Sequence, residues 1–515
     1  MRGKFEIRNQ KSETGRDRRP ISAVIALLAR QILRISVLEF RIFLLLPLLA
    51  LAGCQKSETP TAPENAASPT PSPTPGSASF TPNSFSDVTA QLDPGGDLYL
   101  YLSTAQWTSK LAQGIDTLQS MTARQTPEQQ QQVAPYLALL KDIIQKSGVQ
   151  AVSGVGASSI NYAAGLYRNK IFVHHYPADG SGVIWSLYGT QPHPLASLDY
   201  LPVDTGLAGF ADFDLAKFIG FLRDEATQSG IPPLQQAVAQ WQTELTGLTG
   251  LKLDDVLASF NGAVGMVLTL DASNNVTIPI ENQSLTIPFP RLALLFAVKN
   301  DLIFKTVDKM FAGTPGFATF VDPDVQMRLV QVPLANGVNL RPTLAQWNGF
   351  LVFATDDNLI RAMIAAQKGG PGFKTTAEYA TLSAGLPEQG NSFVIATQHF
   401  ADTVRKIETQ VGASQPGGGA RTALMERFEK TGHFMSVGAV LPNGWLSISQ
   451  GSQGAGQLLA PAIAIPAMAA GMALPALNAY RRGAAPPGPP PIPPPVTSFP
   501  SGNPPSPAAS PGTSP

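Results

Sequence analysis

The sequence is poor in charge and has one cysteine. Only 14% of the 515 residues are charged, and Lys plus Arg equals Asp plus Glu at 36 each, so the formal net charge is zero. A neutral chain without a basic cluster in its centre lacks the electrostatic attraction that nucleic acids and anionic membrane surfaces exploit, so no nucleic-acid partner is predicted. The single cysteine, Cys54, excludes an intramolecular disulfide and a multi-cysteine metal cluster.

The common motifs of enzyme active sites are also missing. The sequence has no Gly-x-Ser-x-Gly elbow, no phosphate-binding loop ending in Gly-Lys-Ser or Gly-Lys-Thr, and no His-Glu-x-x-His segment. His174 and His175 are adjacent in a predicted strand, so they point to opposite faces of a half-exposed sheet and cannot easily share an ion. We therefore predict no catalytic residue, no cofactor and no metal, and the chain is predicted not to be an enzyme.

Two pairs of aspartates are the remaining candidates for a hard cation. They are Asp322-Pro323-Asp324 and Asp356-Asp357. Neither has the series of spaced oxygen ligands that calcium loops use. We predict turn formation and helix capping for both pairs.

The N-terminal segment has the features of a secretion signal. Residues 1–41 are rich in Arg and Lys, and the apolar run Ile42–Ala50 that follows is shorter than the ~20 residues of a membrane span. The next residues, Leu51-Ala52-Gly53-Cys54, resemble the bacterial lipobox. That resemblance implies that 1–53 is a signal peptide, that cleavage occurs before Cys54, and that Cys54 is the site of lipid attachment. Gln55 in place of Asp resembles the pattern of outer-membrane sorting, on a membrane facing the periplasm.

Segments of biased composition flank the centre of the chain. Residues 54–85 are rich in Ser, Thr and Pro, which predicts a disordered linker with extended polyproline character. Residues 483–515 predict a disordered Pro-rich tail. The apolar helix predicted for 457–482 is about as long as a membrane span but contains three prolines. Membrane association and docking on the protein itself both remain open for it.

The central region repeats one local pattern, in which a short apolar strand leads through a capping residue into an amphipathic helix. The capping residues are Ser103 and Thr104, Asp212, Asn300, Asp356 and Thr397. A larger unit of strand, helix, helix, strand and strand is predicted at 97–190, 206–298 and 391–450. Helices at 127–146 and 420–430 are predicted as the second helices of the first and last units.

Short turns favour antiparallel pairing between these strands. Pro442-Asn443-Gly444 predicts a tight hairpin, and Tyr167–Lys170 and Pro177–Gly180 predict two more. We therefore predict an α+β fold with largely antiparallel sheets and helices on one face, in two parts at 86–290 and 291–452. The alternative is an α/β fold with a parallel sheet, which would require crossover connections instead of hairpins.

Two short sequence segments in this region resemble a known group of proteins. Leu201-Pro202-Val203-Asp204-Thr205 precedes a predicted strand, and Gly349–Ile364 has the pattern of a strand followed by a helix. Both resemble segments of a family of large bacterial secreted proteins known only as a domain of unknown function. The resemblance covers about residues 90–450 and implies no activity and no catalytic residues.

Three functions follow as hypotheses. The first is a non-enzymatic envelope lipoprotein that binds a partner protein or has a structural role, with the membrane as a partner through its lipid. The second is a periplasmic carrier of an apolar ligand, which predicts a pocket lined by strand residues without a charged floor. The third is an enzyme of unrecognised type. Aromatic residues also recur in the predicted strands: Tyr99, Tyr101, Phe210, Phe296, Phe353 and Phe393. For these side chains, packing in the core is favoured over a cleft that binds lipid or glycan.

Overall fold

The computed structural model describes residues 83–122, 126–280, 283–312, 317–322, 324–333, 339–412 and 432–454. The predicted signal peptide, Cys54, almost all of the linker, the helix at 420–430, the apolar helix at 457–482 and the tail lie outside the described residues. Within the described ranges, no helix combines the length and the apolar character needed to span a membrane.

Groups of helices and groups of strands follow one another along the described chain. The helices are α1 (Phe85–Thr89), α2 (Ala105–Thr122), α3 (Pro127–Ser147), α4 (Leu215–Gln228), α5 (Pro232–Thr249), α6 (Leu253–Ala258), α7 (Leu302–Phe311), α8 (Asp357–Gln367), α9 (Ala377–Ser383) and α10 (Gln398–Gly412). The longer strands are β1 (Leu98–Ser103), β2 (Val152–Ala163), β3 (Leu166–His175), β5 (Thr205–Asp212), β6 (Phe260–Ile280), β7 (Gln283–Val298), β8 (Phe317–Asp322), β9 (Val325–Val330), β12 (Thr343–Trp347), β13 (Phe350–Ala354), β15 (Ser392–Ala396), β16 (Phe434–Leu441) and β17 (Gly444–Gly451). The two-residue strands are β4 (His193–Pro194), β10 (Val332–Pro333), β11 (Asn339–Leu340) and β14 (Gln389–Gly390).

One large sheet contains all of the longer strands. Its 13 strands lie in the order β1-β2-β3-β17-β16-β15-β5-β6-β7-β13-β12-β9-β8. Every strand pair among the described residues is antiparallel, which confirms the α+β prediction and excludes the parallel alternative for this sheet. The predicted boundary between residues 290 and 291 falls inside β7, so the sheet continues from one predicted part into the other.

Capping side chains begin several of the helices, as the sequence indicates. Asp356 accepts a hydrogen bond from the Asn358 amide at 2.8 Å, at the start of α8. Thr397 accepts one from the Phe400 amide at 3.3 Å, at the start of α10. The prediction for Asp212 is wrong, because Asp214 caps α4. The Asp212 carboxylate binds other side chains instead.

The helices pack on both faces of the large sheet, so the prediction of helices on one face is wrong. Neighbouring residues of a strand point to opposite faces, and Leu351 and Val352 in β13 show the consequence. Val352 packs with Ile360 of α8 on what we call the core face. Leu351 packs with Phe304 of α7 on the opposite side, which we call the outer face.

The core face holds the largest group of buried side chains. Phe210 and Phe393 are directly opposite each other on β5 and β15, and their rings stack with centroids 5.3 Å apart. Tyr200, from the segment between β4 and β5, packs edge-on against Trp347 on β12. Full burial of a large apolar side chain contributes about 1.5–3 kcal/mol, so this face supplies much of the stability of the domain.

The predicted hairpin at Pro442-Asn443-Gly444 is confirmed. Leu441 and Gly444 are paired across the turn between β16 and β17, and Gly444 has a φ of 151°. A Cβ on Gly444 would also lie 2.1 Å from the carbonyl oxygen of Val173 on β3, so glycine is required there twice over.

The hairpin predicted around Tyr167–Lys170 is present between β2 and β3, but its turn lies earlier, at Gly165, which has a φ of 75°, so Tyr167–Lys170 itself belongs to β3. The hairpin predicted at Pro177–Gly180 is wrong. Pro177–Asp179 forms a single 3₁₀ turn, and a second 3₁₀ turn at Val183–Ser186 follows it. Proline with its fixed φ is well suited to the first position of a helical turn, which explains this error.

Candidate functional site

The outer face of the sheet is uncharged and only partly covered where it crosses β3, β17, β16 and β15. On this face Asn169, His175 and Ala396 are buried. We call nine of its half-buried or exposed residues on these four strands the uncharged strip. They are Ile171, Val173, Trp445, Ser447, Ser449, Ser436, Gly438, Ser392 and Val394. Val394 is 42% exposed. Because a sheet face of this kind normally packs against helices, an exposed apolar residue such as Val394 among half-buried neighbours points to a contact surface.

A single row of paired residues shows how far the uncharged character extends. The row runs across all strands of the large sheet on the outer face, and it contains no ionisable side chain. Its members are Leu100, Ala157, Ile171, Ser447, Gly438, Ser392, Ala211, Val264, Phe296, Leu351, Gln346, Gln326 and Val321. Near β13 the helix α7 packs on this face, whereas the uncharged strip stays half-open.

Aromatic rings close one end of the uncharged strip. Trp445 lies 4.5 Å from Trp185 and 5.3 Å from Tyr188, measured between ring centroids. The ring centroid of His175 also lies 4.1 Å from that of Trp185. The Trp185 ring is fixed because its Nε1 donates to the carbonyl of Gly148 at 2.9 Å. These rings form a rigid apolar wall, and such walls suit the binding of flat or apolar molecules.

Two buried polar atoms along the uncharged strip have no hydrogen-bond partner among the described residues. One is Nε1 of Trp445, a donor at the aromatic end. The other is Oδ1 of Asn169, an acceptor on the same face beside Ser449. A buried polar group without a partner costs about 1–3 kcal/mol. A bound molecule that offered an acceptor to Trp445 and a donor to Asn169 would remove both costs.

A polar cluster lies where β5 ends and β15 begins. The Nε2 of His193 lies 2.9 and 3.0 Å from the two carboxylate oxygens of Asp212. Its Nδ1 lies 3.1 Å from the carbonyl of Pro194. Both partners are pure acceptors, so the imidazolium form satisfies both nitrogens at once. Burial opposes this charge, but the bonds to Pro194 and Asp212 outweigh it and raise the pKa of His193. In that protonated form His193 cannot act as a general base.

Asn391 holds this cluster together. Its buried Nδ2 donates to the Asp212 carboxylate at 2.9 Å and to the carbonyl of Gln191 at 2.8 Å. Its Oδ1 accepts a hydrogen bond from the amide of Val440 at 2.8 Å. The side chain thereby ties β5, β16 and the segment before β4 to the start of β15.

The substitution Asn391→Asp is expected to destabilise the domain by about 2–4 kcal/mol. The new carboxylate loses both donated hydrogen bonds and faces the carboxylate of Asp212 at close range. Chemical denaturation followed by far-ultraviolet circular dichroism measures the loss. The control is Asn161→Asp on the exposed surface of β2, expected to change stability by less than about 0.5 kcal/mol. An equal effect of the two substitutions would contradict this role of Asn391.

A serine, a histidine and an aspartate also meet on the core face. The Ser153 Oγ lies 2.6 Å from Nδ1 of His174, and the Asp87 carboxylate lies 3.3 Å from Nε2 of the same ring. Nε2 of His174 has no hydrogen-bond partner among the described residues. Its approach to Asp87 is therefore an ionic contact without the geometry of a hydrogen bond. Ser153 and His174 are buried, whereas the Asp87 side chain is 54% exposed. A nucleophilic serine needs the reverse arrangement, with its hydroxyl open to substrate and the carboxylate behind the imidazole.

His174 makes stability depend on pH. Burial lowers its pKa, and the neighbouring Asp87 only partly opposes that effect. Because the unfolded chain binds this proton more readily, stability is expected to fall as pH drops below about 6.5. His174→Gln is expected to weaken this dependence, as measured by denaturation midpoints between about pH 7 and 5. His193→Gln is the control with the opposite sign, since its raised pKa stabilises at low pH and is lost as pH rises. Identical slopes in wild type and His174→Gln would refute the assignment.

Asp356 caps α8 and Asp324 lies in a turn, as predicted, and ion pairs that were not predicted add to these roles. Asp324 forms an ion pair with Lys368, and Asp357 forms ion pairs with Arg341 and Arg361. No group of three or more potential His, Cys, Asp or Glu ligands comes together within the described ranges.

The histidine pair and the aromatic residues differ in part from expectation. His174 and His175 do face opposite sides of the sheet, but both are buried and not half-exposed, so that part of the prediction is wrong. Phe210 and Phe393 pack in the core as predicted. The aromatic wall of the uncharged strip is not predicted from sequence, because its members come from β3, from the 3₁₀ turn at Val183–Ser186 with Tyr188 just after it, and from β17. No local pattern in the sequence joins these separate segments.

Comparisons with known proteins give no match for this chain: no family model, no curated protein and no solved structure is similar to it.

Proposed function

We propose that this protein is a lipid-anchored protein of the bacterial cell envelope, whose α+β domain binds an uncharged partner on the uncharged strip. The anchor is the lipid on Cys54, and its support is the succession of basic residues, a short apolar run and Leu51-Ala52-Gly53-Cys54. Cys54 lies outside the described residues. With Gln55 after it, the expected location is a membrane facing the periplasm, with the outer membrane favoured.

A binding role is favoured over catalysis by the protonation and burial of the candidate groups. The Ser153 hydroxyl is buried, and both ring nitrogens of His193 face acceptor oxygens. Neither arrangement leaves a nucleophile or a general base open to a substrate. The proposed protein is therefore a non-enzymatic binding protein.

The carrier of an apolar ligand is the second candidate, and one observation favours it. The outer-face row has no charged residue from Leu100 to Val321, and in the uncharged strip this surface is half-open. That is the uncharged floor which a carrier requires. The same surface would suit an apolar segment of an envelope protein, so the ligand experiment below distinguishes the two.

We also propose that the domain is built from repeats of a strand-helix-helix-strand-strand unit. The order β1, α2, α3, β2, β3 in the first predicted stretch supports this, as does β5, α4, α5, β6, β7 in the second, where the short α6 is added. In each stretch the three strands are neighbours in the sheet. The helix at 420–430, which would complete the third unit, lies outside the described residues.

Insertion of a charge into the uncharged strip is expected to abolish binding. A form of the chain beginning at Gln55, which lacks the lipid, is titrated with phenylnaphthylamine, an uncharged apolar dye. Val394→Glu is expected to weaken saturable binding by about tenfold or more, because the carboxylate must be desolvated against the ligand. A dye that binds saturably supports the carrier. Val394-dependent capture of a protein segment without dye binding supports the partner protein.

Val321→Glu is the matched control for this experiment. It is the same substitution on the same face, but on the edge strand β8, away from the uncharged strip, where Val321 is 76% exposed. Binding is expected to be unchanged in this variant. Equal loss in both variants, or no effect in either, would reject the uncharged strip as the binding surface.

A further inference from the structure

The first strand, β1, forms an open edge of the large sheet. It pairs with β2 along its whole length, from Leu98 to Ser103. On its other side no strand from the described part of the chain is paired with it. An edge strand presents a row of backbone donors and acceptors that is ready to pair with another strand.

The sequence of β1 lacks the features that normally protect such an edge. It reads Leu98-Tyr99-Leu100-Tyr101-Leu102-Ser103, with no charge, no proline and no glycine. The opposite edge, β8, differs, because the strand itself includes a charged residue, Asp322. The guanidinium of Arg361 also lies over the ring of Phe320 on β8. Charge and proline hinder edge-to-edge pairing, so β1 is the edge suited to it.

The helix α1 holds β1 in an extended shape from its core face. The ring of Phe85 packs edge-on against Tyr101 with centroids 5.1 Å apart, and the hydroxyl of Tyr99 lies 3.4 Å from the carbonyl of Thr89. The leucines point to the outer face, where Leu100 is 42% exposed. A strand that is already extended loses little conformational entropy when another strand pairs with it.

We propose that a second copy of this chain pairs with β1 in antiparallel orientation, across a two-fold axis at Leu100. In an antiparallel pair, directly opposite residues share a face. A strand of alternating Leu and Tyr then matches itself, with Leu98 opposite Leu102, Tyr99 opposite Tyr101, and Leu100 opposite its own copy. The two sheets become one continuous sheet through an isologous interface. A peptide from another protein could form the same backbone hydrogen bonds, but its side chains would not be expected to match the alternation of Leu and Tyr in β1.

Disulfide trapping in membranes from cells that express the full chain tests both the partner and the register. In Leu100→Cys the two thiols face each other across the axis and are expected to give a dimer band on a non-reducing gel after mild oxidation. Leu98→Cys is the matched control, on the same strand and face. Its two copies would lie four residues apart along the strand, or about 13 Å, which is too far for a disulfide. The wild-type chain, whose only cysteine is Cys54, shows whether Cys54 itself forms a disulfide-linked dimer.

The outcomes separate the possibilities. A dimer band for Leu100→Cys, absent for Leu98→Cys and restored when Leu98→Cys is combined with Leu102→Cys, supports the proposal. An equal band for the two single variants overturns the register, and a disulfide with a different protein overturns the second copy as partner. Because a cysteine substitution can disturb folding, the mass of the wild-type chain in detergent is measured as well. The mass of one protein copy at every concentration overturns the proposal.

Discussion

Gly182→Ala is expected to destabilise the domain by about 3 kcal/mol or more. Gly182 lies against Gly148 at the end of α3, where two backbone segments cross without any side chain between them. A Cβ on Gly182 would lie 2.0 Å from the Cα of Gly148 and 2.3 Å from the carbonyl oxygen of Ser147. Neither atom belongs to a flexible side chain, so the two segments must separate.

That separation would reach the aromatic end of the uncharged strip. Trp185 follows Gly182 by one turn, and its Nε1 donates to the carbonyl of Gly148. Separation of the segments at Gly148 and Gly182 therefore moves the Trp185 ring, which packs against Trp445. Urea denaturation followed by tryptophan fluorescence reports both the loss of stability and the altered environment of the rings.

Gly220→Ala is the matched control for the same substitution. Gly220 lies within α4, and a Cβ there would meet nothing within 4 Å. Alanine is favoured over glycine inside a helix by about 0.5–1 kcal/mol, so this variant is expected to be neutral or slightly more stable. Similar stability of the Gly182 and Gly220 variants would show that the crossing at Gly148 is not tightly packed.

The parts of the fold that sequence predicts well are those decided by neighbouring residues. The cap at Asp356 and the hairpin at Gly444 each depend on a few adjacent positions, and both are confirmed. The cap assigned to Asp212 is wrong by two residues, because its carboxylate is used by His193 and Asn391, which lie far away in sequence. A local pattern carries no information about such partners.

The order of the strands is not available from local patterns at all. β3 pairs with β17, and β5 pairs with β15, although the partners in each pair are far apart in the sequence. These pairings decide which residues form the outer face, and with it the uncharged strip. The same limit explains the wrong expectation that helices occupy one face, since the alternation in β13 is compatible with packing on either side or both.

Cys54→Ala is expected to abolish the proposed lipid anchor completely. The sulfur of Cys54 is the only thiol in the chain, so no other side chain can take the thioether-linked diacylglyceryl group. Two acyl chains or more are needed for stable anchoring, and the variant would lose them all. The unmodified precursor is also expected to keep residues 1–53, because cleavage at a lipobox follows lipid transfer. Ser57→Ala is the control, a small change three residues later that leaves the lipobox intact.

Incorporation of radiolabelled palmitate into the full chain tests the lipid anchor most directly. The account predicts strong labelling of the wild type and of Ser57→Ala, and no labelling of Cys54→Ala. Equal labelling of the wild type and Cys54→Ala, or an unlabelled wild-type chain with a free thiol at Cys54, would contradict it.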